Sequence, residues 1–283
     1  DRAFICGFSS SLMLQLGAYL EYGRGAAASH RTSLRLSPSP PRQKRRRKMK
    51  ITCHMIMSVD GRLISKYWSP LYNASSSVTE VYEAADAKLS ADGWIVGRKT
   101  MAEYGADVVE EKEPMEGHKT MQTNTFIGKR EGRPLAVVFD IQGRLHYKSP
   151  TLPSGEHIVA VLGSHVTRAY QKELEEIGVS YIMRTPGSKL EETQSALKHL
   201  EQDFNVKHML LEGGAITCGN FLQMGLVDEL SMIVYPGLDG ESGHPSVIEC
   251  QGVVEPLKKN RLELIDCETV GSGYVWLRYN IHR

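Results

Sequence analysis

The stretch HMLLEGGA, residues 208–215, decides the fold of this chain, because it joins an apolar run to a helical pattern through one acid and two glycines. Short apolar runs of this kind are typical of buried strands. Glycines let a backbone come close to a ligand, and the N-terminus of a helix offers free N–H groups to an anion. The stretch therefore predicts a binding site for an anionic cofactor where a strand ends.

From residue 50 onward, short apolar runs alternate with longer helical patterns, which is typical of a sheet with crossover helices. The runs predict strands over 51–57, 94–97, 135–139, 158–163, 181–184, 209–212 and 230–235, and a final hairpin over 262–268 and 274–279. Helices are predicted over 79–89, 166–177, 190–204 and 216–226. The predicted fold is three-layer α/β/α, with a mostly parallel central sheet and an antiparallel C-terminal hairpin.

Composition predicts a soluble globular protein, since 41% of the 283 residues are hydrophobic and 24% are charged. No apolar run reaches the length of about 20 residues that a membrane-spanning helix needs. The five cysteines show no CxxC pair and no metal-ligand spacing. We therefore expect a cytoplasmic protein with no membrane partner, no structural metal and no disulfide framework.

Charge divides the chain into two parts. Residues 1–48 contain ten of the 34 Lys and Arg residues and two of the 33 Asp and Glu residues. The net charge is therefore +8 for 1–48 and −7 for 49–283. The segment is rich in Pro and Ser before its basic run, a composition that builds no core. We expect a disordered or non-native extension over 1–48 and one domain over 49–283. Organelle targeting or a nucleic-acid arm is the alternative for 1–48.

A second candidate site is the stretch GRKT, residues 97–100, at the end of the strand predicted over 94–97. Two cations and a hydroxyl at the start of a helix suit a phosphate, and the pair of charges would favour a 2′-phosphate. A solvated basic turn is the alternative. No GxGxxG follows the first strand, so an ordinary dinucleotide-binding fingerprint is absent.

A third candidate site is MSVDGR, residues 57–62, which closes the first strand. Ligands bind at strand ends in open α/β sheets, so Ser58 and Asp60 would be placed to hydrogen-bond a substrate. The alternative is a simple β-turn, since Ser, Asp and Gly are common turn residues.

Taken together, these motifs resemble those of a known family over residues 50–281. The matching pieces are MSVDGR (57–62), DGWIVGRKT (92–100), PLAVVFD (134–140), LEGGA (211–215), GLVDEL (225–230) and GYVWLRY (273–279). They are similar to the C-terminal reductase domain of the bifunctional riboflavin-biosynthesis enzymes, the RibD C-terminal domain, a branch of the dihydrofolate-reductase-like fold. The resemblance implies an NADPH-dependent oxidoreductase acting on a CH-OH or CH-NH type substrate. The implied substrate is a pyrimidine or pterin-like molecule, most like 5-amino-6-(5-phosphoribosylamino)uracil.

The resemblance also assigns site residues. Those assigned to NADPH are Met57, Trp68, Gly97, Arg98, Lys99, Thr100, Gly213, Gly214, Ala215, Ile216, Thr217, Cys218, Gly219 and Asn220. Those assigned to the substrate are Ser58, Asp60, Lys88 and Glu212, with Asp60 and Glu212 as the catalytic residues. A solvated lysine at a helix end is the alternative for Lys88. The resemblance further implies a homodimer that uses edge surface around 230–235 and 274–279.

Several departures from the family limit the prediction of the substrate. The family's Ala-Asp-Asp-Pro segment after the GRKT position is replaced here by AEYGAD, residues 102–107, and an acidic, irregular insertion continues to residue 132. Glu110, Glu111 and Glu113 would repel a phosphate if they faced the pocket. No zinc-deaminase motif lies in 1–48, so we expect a stand-alone reductase. Dihydrofolate reductase-type activity on another substrate, or NADP binding without catalysis, remains the alternative.

Overall fold

The computed structural model describes residues 49–73, 75–103, 108–111, 113–114, 116–117, 125–252 and 255–283. The prediction for the basic segment 1–48, and part of that for the acidic insertion, lie outside these residues. In chain order the elements are β1 (Lys50–Ser58), α1 (Val78–Leu89), β2 (Gly93–Gly97), α2 (Arg98–Glu103), β3 (Val108–Glu110), β4 (Leu135–Phe139), β5 (Leu145–Tyr147), β6 (His157–Leu162), α3 (Arg168–Ile177), β7 (Ser180–Met183), α4 (Lys189–Gln202), β8 (His208–Leu211), α5 (Ala215–Gln223), β9 (Glu229–Tyr235), α6 (Glu255–Lys258), β10 (Arg261–Val270) and β11 (Tyr274–His282).

Nine strands form one sheet in the order β10-β11-β9-β1-β8-β2-β4-β6-β7. The seven strands from β9 to β7 are parallel, whereas β11 runs antiparallel to both β9 and β10. This arrangement confirms the predicted mostly parallel sheet with an antiparallel C-terminal hairpin. It also corrects the prediction that 230–235 and 274–279 offer an edge, because β9 and β11 lie inside the sheet and β10 forms its edge.

Helix boundaries follow from side chains that cap the first turn. Ser77 and Ser188 begin α1 and α4 with reciprocal capping boxes to Glu80 and Glu191. Thr167 accepts a hydrogen bond from the backbone N–H of Tyr170 and thereby starts α3 two residues later than predicted. The predicted helices over 190–204 and 216–226 end earlier, at Gln202 and Gln223.

Helices cover both faces of the sheet, as predicted. One apolar cluster joins the sheet face that carries Trp94 and Val96 to α1 and α3. The other joins the face that carries Ile95 to α4 and α5. Neighbouring residues of β2 therefore point to opposite layers, as the two-residue period of a strand requires.

A buried polar network ties the centre of the sheet to α1. The ring of His54 in β1 lies 2.9 Å from the hydroxyl of Ser231, which also accepts a hydrogen bond of 2.7 Å from the indole N–H of Trp276. The hydroxyl of Tyr82 donates to the carbonyl of His54 at 2.9 Å. Burial lowers the pKa of His54 to about 4, so its ring is neutral at neutral pH.

Three short elements were not predicted from the sequence, because each has too few residues to show a hydrophobic periodicity. They are α6 and the strands β3 and β5, which pair as a separate two-stranded sheet. This small sheet matters for the site, since it carries part of the acidic insertion beside the end of β2. In the described part of the chain, no helix is long and apolar enough to cross a bilayer.

Candidate functional site

A cavity of about 440 Å³ opens at the edge of the sheet where the parallel strands end. Its walls come from the ends of β2, β4 and β7, the start of α2, the N-terminal part of α4, one side of α5, Leu63 after β1, and the segment 245–251. Ligand sites in open α/β sheets lie at this edge, and their volumes are typically about 300–1,000 Å³. The cavity is therefore the candidate site.

The floor of the cavity depends on the close approach of β2 to α5. The N–H of Glu212 donates to the carbonyl of Ile95 at 3.0 Å, and the N–H of Gly97 donates to the carbonyl of Gly213 at 2.9 Å. A Cβ on Gly97 would lie 2.6 Å from the hydroxyl oxygen of Thr217 in α5. Glycine at position 97 thus lets the first turn of α5 lie directly beside the end of β2.

That first turn of α5 is open to an anion. Its N-cap residue, Gly214, has no side chain to satisfy the first N–H groups, and the peptide bond from Gly213 to Gly214 is cis. The first N–H groups of a helix have no partner within the helix and carry the positive end of its dipole. Because Gly214, Ala215, Ile216 and Thr217 line the cavity, α5 presents an anion-binding end to it.

Cations dominate the charged side chains around the cavity. Arg98 and Lys99 lie on one side, at the end of β2, and Arg184 and Lys189 lie on the other, at the end of β7 and the start of α4. Glu249 is the acid among the described lining residues. A ligand with more than one phosphate fits this distribution of charge.

Arg98 is held by acidic neighbours. Its guanidinium forms an ion pair with Glu110 of β3, whose carboxylate also lies 3.4 Å from Arg144. Burial and the charge of Arg144 lower the pKa of Arg98, while Asp140 acts in the opposite direction. Glu110, an acid of the insertion, therefore contacts Arg98, the cation that the sequence analysis assigned to a phosphate of NADPH.

One wall of the cavity, the segment 245–251, is fastened to both sides of the site. The N–H of Leu63 donates to the carbonyl of Pro245 at 3.1 Å, and the N–H of Glu249 donates to the carbonyl of Ala215 at 3.1 Å. A Cβ on Gly219 would lie 1.9 Å from the backbone oxygen of Glu249. Gly219 is thus the point at which this wall packs on α5.

Ser58 and Asp60 bind backbone and each other rather than lining the cavity. The hydroxyl of Ser58 donates to Asp60 at 2.6 Å and accepts from the N–H of Arg62 at 2.9 Å. Asp60 also accepts from the N–H groups of Asp239 at 3.1 Å and Gly240 at 2.9 Å. The Ser58 hydroxyl and these N–H groups hold the pKa of Asp60 well below its ordinary value. The carboxylate thus joins the loop after β1 to the loop after β9.

Glu212 lies at the end of β8, immediately before the glycine pair, and is 5% exposed. Gly213 follows it with a positive φ of 117°, and a Cβ there would lie 3.6 Å from the Cε of Met55. The acid is therefore buried, and it is not among the residues that line the cavity.

Other predicted site residues lie apart from the cavity. Trp68 is buried against Tyr235, with ring centroids 4.8 Å apart. Lys88 pairs with Glu268 of β10 at 2.8 Å. Cys218 points into the core, where a hydrogen bond with Cys53 and burial raise the pKa of its thiol. Met57 is half-buried at the end of β1.

The structure gathers most of the predicted cofactor residues at one cavity. Those lining it are Gly97, Arg98, Lys99, Thr100, Gly214, Ala215, Ile216, Thr217 and Asn220. Sequence reasoning missed the lining residues Leu63, Phe139, Ile141, Arg184, Lys189, Thr193, Phe221, Met224, Pro245, Glu249 and Gln251. Arg184 follows directly on β7, so the rule that ligands bind where parallel strands end would have found it. No local signal marks 245–251.

Metal binding has no candidate in the described part of the chain, where no group of three His, Cys, Asp or Glu side chains is placed to hold an ion.

The sequence matches the family described as RibD C-terminal domain over residues 49–276. The structure is similar to a pyrimidine reductase-like protein from Corynebacterium diphtheriae, with 19% identity and a TM-score of 0.55 over 83% of this chain and 92% of that one. It is similar to RibD from Acinetobacter baumannii, with 19% identity and a TM-score of 0.55 over 83% of this chain and 58% of that one. It is also similar to the riboflavin biosynthesis reductase of Saccharomyces cerevisiae, with 15% identity and a TM-score of 0.52 over 85% and 93% of the two chains. At these identities the neighbours show a shared fold.

We predict that Gly219→Ala destabilises the protein more than Gly97→Ala. The added Cβ at 219 meets backbone, which has to move, whereas the one at 97 meets a threonine hydroxyl that can rotate away. Overpacking of this kind costs about 1–3 kcal/mol. Urea unfolding of the two variants and the wild type measures the difference. Equal stabilities of the two variants would show that 245–251 is not packed on Gly219 as described.

Proposed function

We propose, from the premise that the chain belongs to the RibD C-terminal domain family, that it reduces 5-amino-6-(5-phosphoribosylamino)uracil with NADPH. The reaction would make it an oxidoreductase acting on a CH-OH or CH-NH type substrate. The observation that carries the proposal is the cavity between the GRKT turn and the start of α5, lined by cations and open N–H groups.

The residues present fit a dinucleotide cofactor. Gly97 and Gly214 line the cavity without a side chain, and the first turn of α5 would hold the pyrophosphate. Arg98, Lys99 and Thr100 would hold a further phosphate, which favours NADPH over NADH. When bound, the nicotinamide supplies the hydride. The protein then has to bind, orient and exclude water.

Glu212 is the residue we propose to act on the substrate. It directly follows β8, two residues before Gly214 of the cavity wall, and its burial excludes water from the carboxyl group. A carboxyl group in such a place can hold or move a proton during reduction. For Asp60 the bonds to loop backbone favour a positioning role over the predicted catalytic one, because a carboxylate with a low pKa stays ionised.

Arg98 provides the first test. We predict that Arg98→Ala weakens the binding of NADPH about fivefold to tenfold more than that of NADH, since the variant removes a charge-assisted contact to the 2′-phosphate. It also leaves Glu110 with Arg144 as its remaining ion-pair partner. Titration followed by nicotinamide fluorescence measures both affinities. Equal losses for the two nucleotides would place the 2′-phosphate elsewhere, and no binding of either by the wild type would overturn the proposed function.

Glu212 provides the second test. We predict that Glu212→Gln lowers kcat for 5-amino-6-(5-phosphoribosylamino)uracil by about 100-fold, the usual scale of a lost proton-transfer group. NADPH affinity should stay unchanged, because Glu212 is not among the residues that line the cavity we assign to the cofactor. Unchanged turnover would refute the assignment of Glu212. Turnover absent from the wild type, with NADPH bound, would favour the alternatives: a different substrate or nucleotide binding without catalysis.

We further propose that the protein forms a homodimer through the edge strand β10. Leu262, Leu264 and Ile265 of that strand are 51%, 53% and 41% exposed. An open edge that carries apolar side chains is prone to pair with another chain.

We predict that Leu264→Glu converts the dimer to a monomer, because a charge would be buried at the pairing edge. Sedimentation velocity measures the change. Ile127→Glu is the matched control, since Ile127 is 49% exposed but lies outside the strands of the sheet. A wild type that is already monomeric, or a variant that stays dimeric, would contradict the interface.

A further inference from the structure

Four charged side chains from different elements lie close together near the end of β2. Glu110 contacts the guanidinium groups of both Arg98 and Arg144. The fourth member, Asp140, is fully buried and accepts hydrogen bonds from the N–H groups of Arg144 at 2.6 Å and Leu145 at 2.9 Å. The group thus joins two guanidinium groups to two carboxyl groups, and burial raises the pKa of Asp140.

Glu110 is held in this position by backbone. It ends β3, which pairs with β5 so that Glu110 lies opposite Leu145. The N–H of Glu111 donates to the carbonyl of Arg144 at 2.9 Å, and the Nε of Arg144 donates to the carbonyl of Glu111 at 2.6 Å. The carboxylate of Glu110 thus meets Arg98 from a fixed strand rather than from a free loop.

The pair lies where an anion would need the same guanidinium. Arg98 lines the cavity, and the side chains of Arg98 and Glu110 are 21% and 26% exposed, so water screens their attraction only in part. A phosphate that binds Arg98 has to displace the carboxylate or accept its repulsion. A nucleotide that has no phosphate at Arg98 neither displaces the carboxylate of Glu110 nor is repelled by it.

We propose that Glu110 sets the nucleotide specificity of this site: its carboxylate competes with the 2′-phosphate for Arg98 and so reduces the preference for NADPH over NADH. This inference rests on the proposed function, because it takes the cavity to be the cofactor site. The inference extends that function, because it assigns the discrimination between NADPH and NADH to Glu110, an acid of the insertion.

Adenosine 2′,5′-bisphosphate and 5′-AMP test the inference, since they differ in the 2′-phosphate alone. We would measure both dissociation constants by calorimetry on the full chain for the wild type, Glu110→Gln, and the double variant Glu110→Gln/Arg98→Ala. Glu111→Gln is the matched control, because it makes the same change of charge one residue away on an exposed side chain. Thermal unfolding of each variant confirms that it is folded.

We expect Glu110→Gln to raise the preference for the bisphosphate about tenfold, as removal of a competing charge near a phosphate predicts. The control should leave the preference unchanged, and the double variant should lose the gain. An unchanged or lowered preference in folded Glu110→Gln, with 5′-AMP still bound, would overturn the inference and leave the proposed function standing. No binding of 5′-AMP by the wild type would overturn both.

Discussion

The site depends on how closely the start of α5 approaches the end of β2. Gly97 leaves room for this approach, because a Cβ there would lie 2.6 Å from the hydroxyl oxygen of Thr217 and the hydroxyl would have to rotate away. The same helix receives the 245–251 wall at Gly219, where the backbone oxygen of Glu249 occupies the place of a side chain. The two contacts fix α5 between the sheet and the wall. Its uncapped first turn therefore faces a bounded cavity rather than open solvent.

Electrostatics at this edge are balanced rather than simply positive. The open N–H groups of α5 and the cations on both sides of the cavity attract an anion, but Arg98 already pairs with Glu110, and Arg184 pairs with Glu192 at 2.9 Å. In the proposed function, the start of α5 would bind a pyrophosphate, and a second phosphate at Arg98 would compete with Glu110. Different residues would then determine the affinity for the pyrophosphate, which both dinucleotides share, and the discrimination between NADPH and NADH.

Much of the fold could be predicted from sequence, because the buried strands are continuous apolar runs. The two main parts of the site could also be predicted, because each is a short continuous motif, GRKT at 97–100 and GGAIT at 213–217. The resemblance also assigned Cys218 and Gly219 to NADPH. Helical geometry instead turns Cys218 into the core and Gly219 towards the 245–251 wall. The pairing of Arg98 with Glu110 could not be predicted, since it depends on two three-residue strands that show no period. The wall over 245–251 is likewise brought to the site by tertiary packing alone.

Hydrogen–deuterium exchange with and without NADPH tests the central claim most directly, because it reports which backbone N–H groups a bound nucleotide covers. The account predicts slower exchange at 97–100, in the first turn of α5 and along 245–251, the segments that border the cavity. Slower exchange confined to other segments, or no change at saturating NADPH, would contradict the placement of the cofactor.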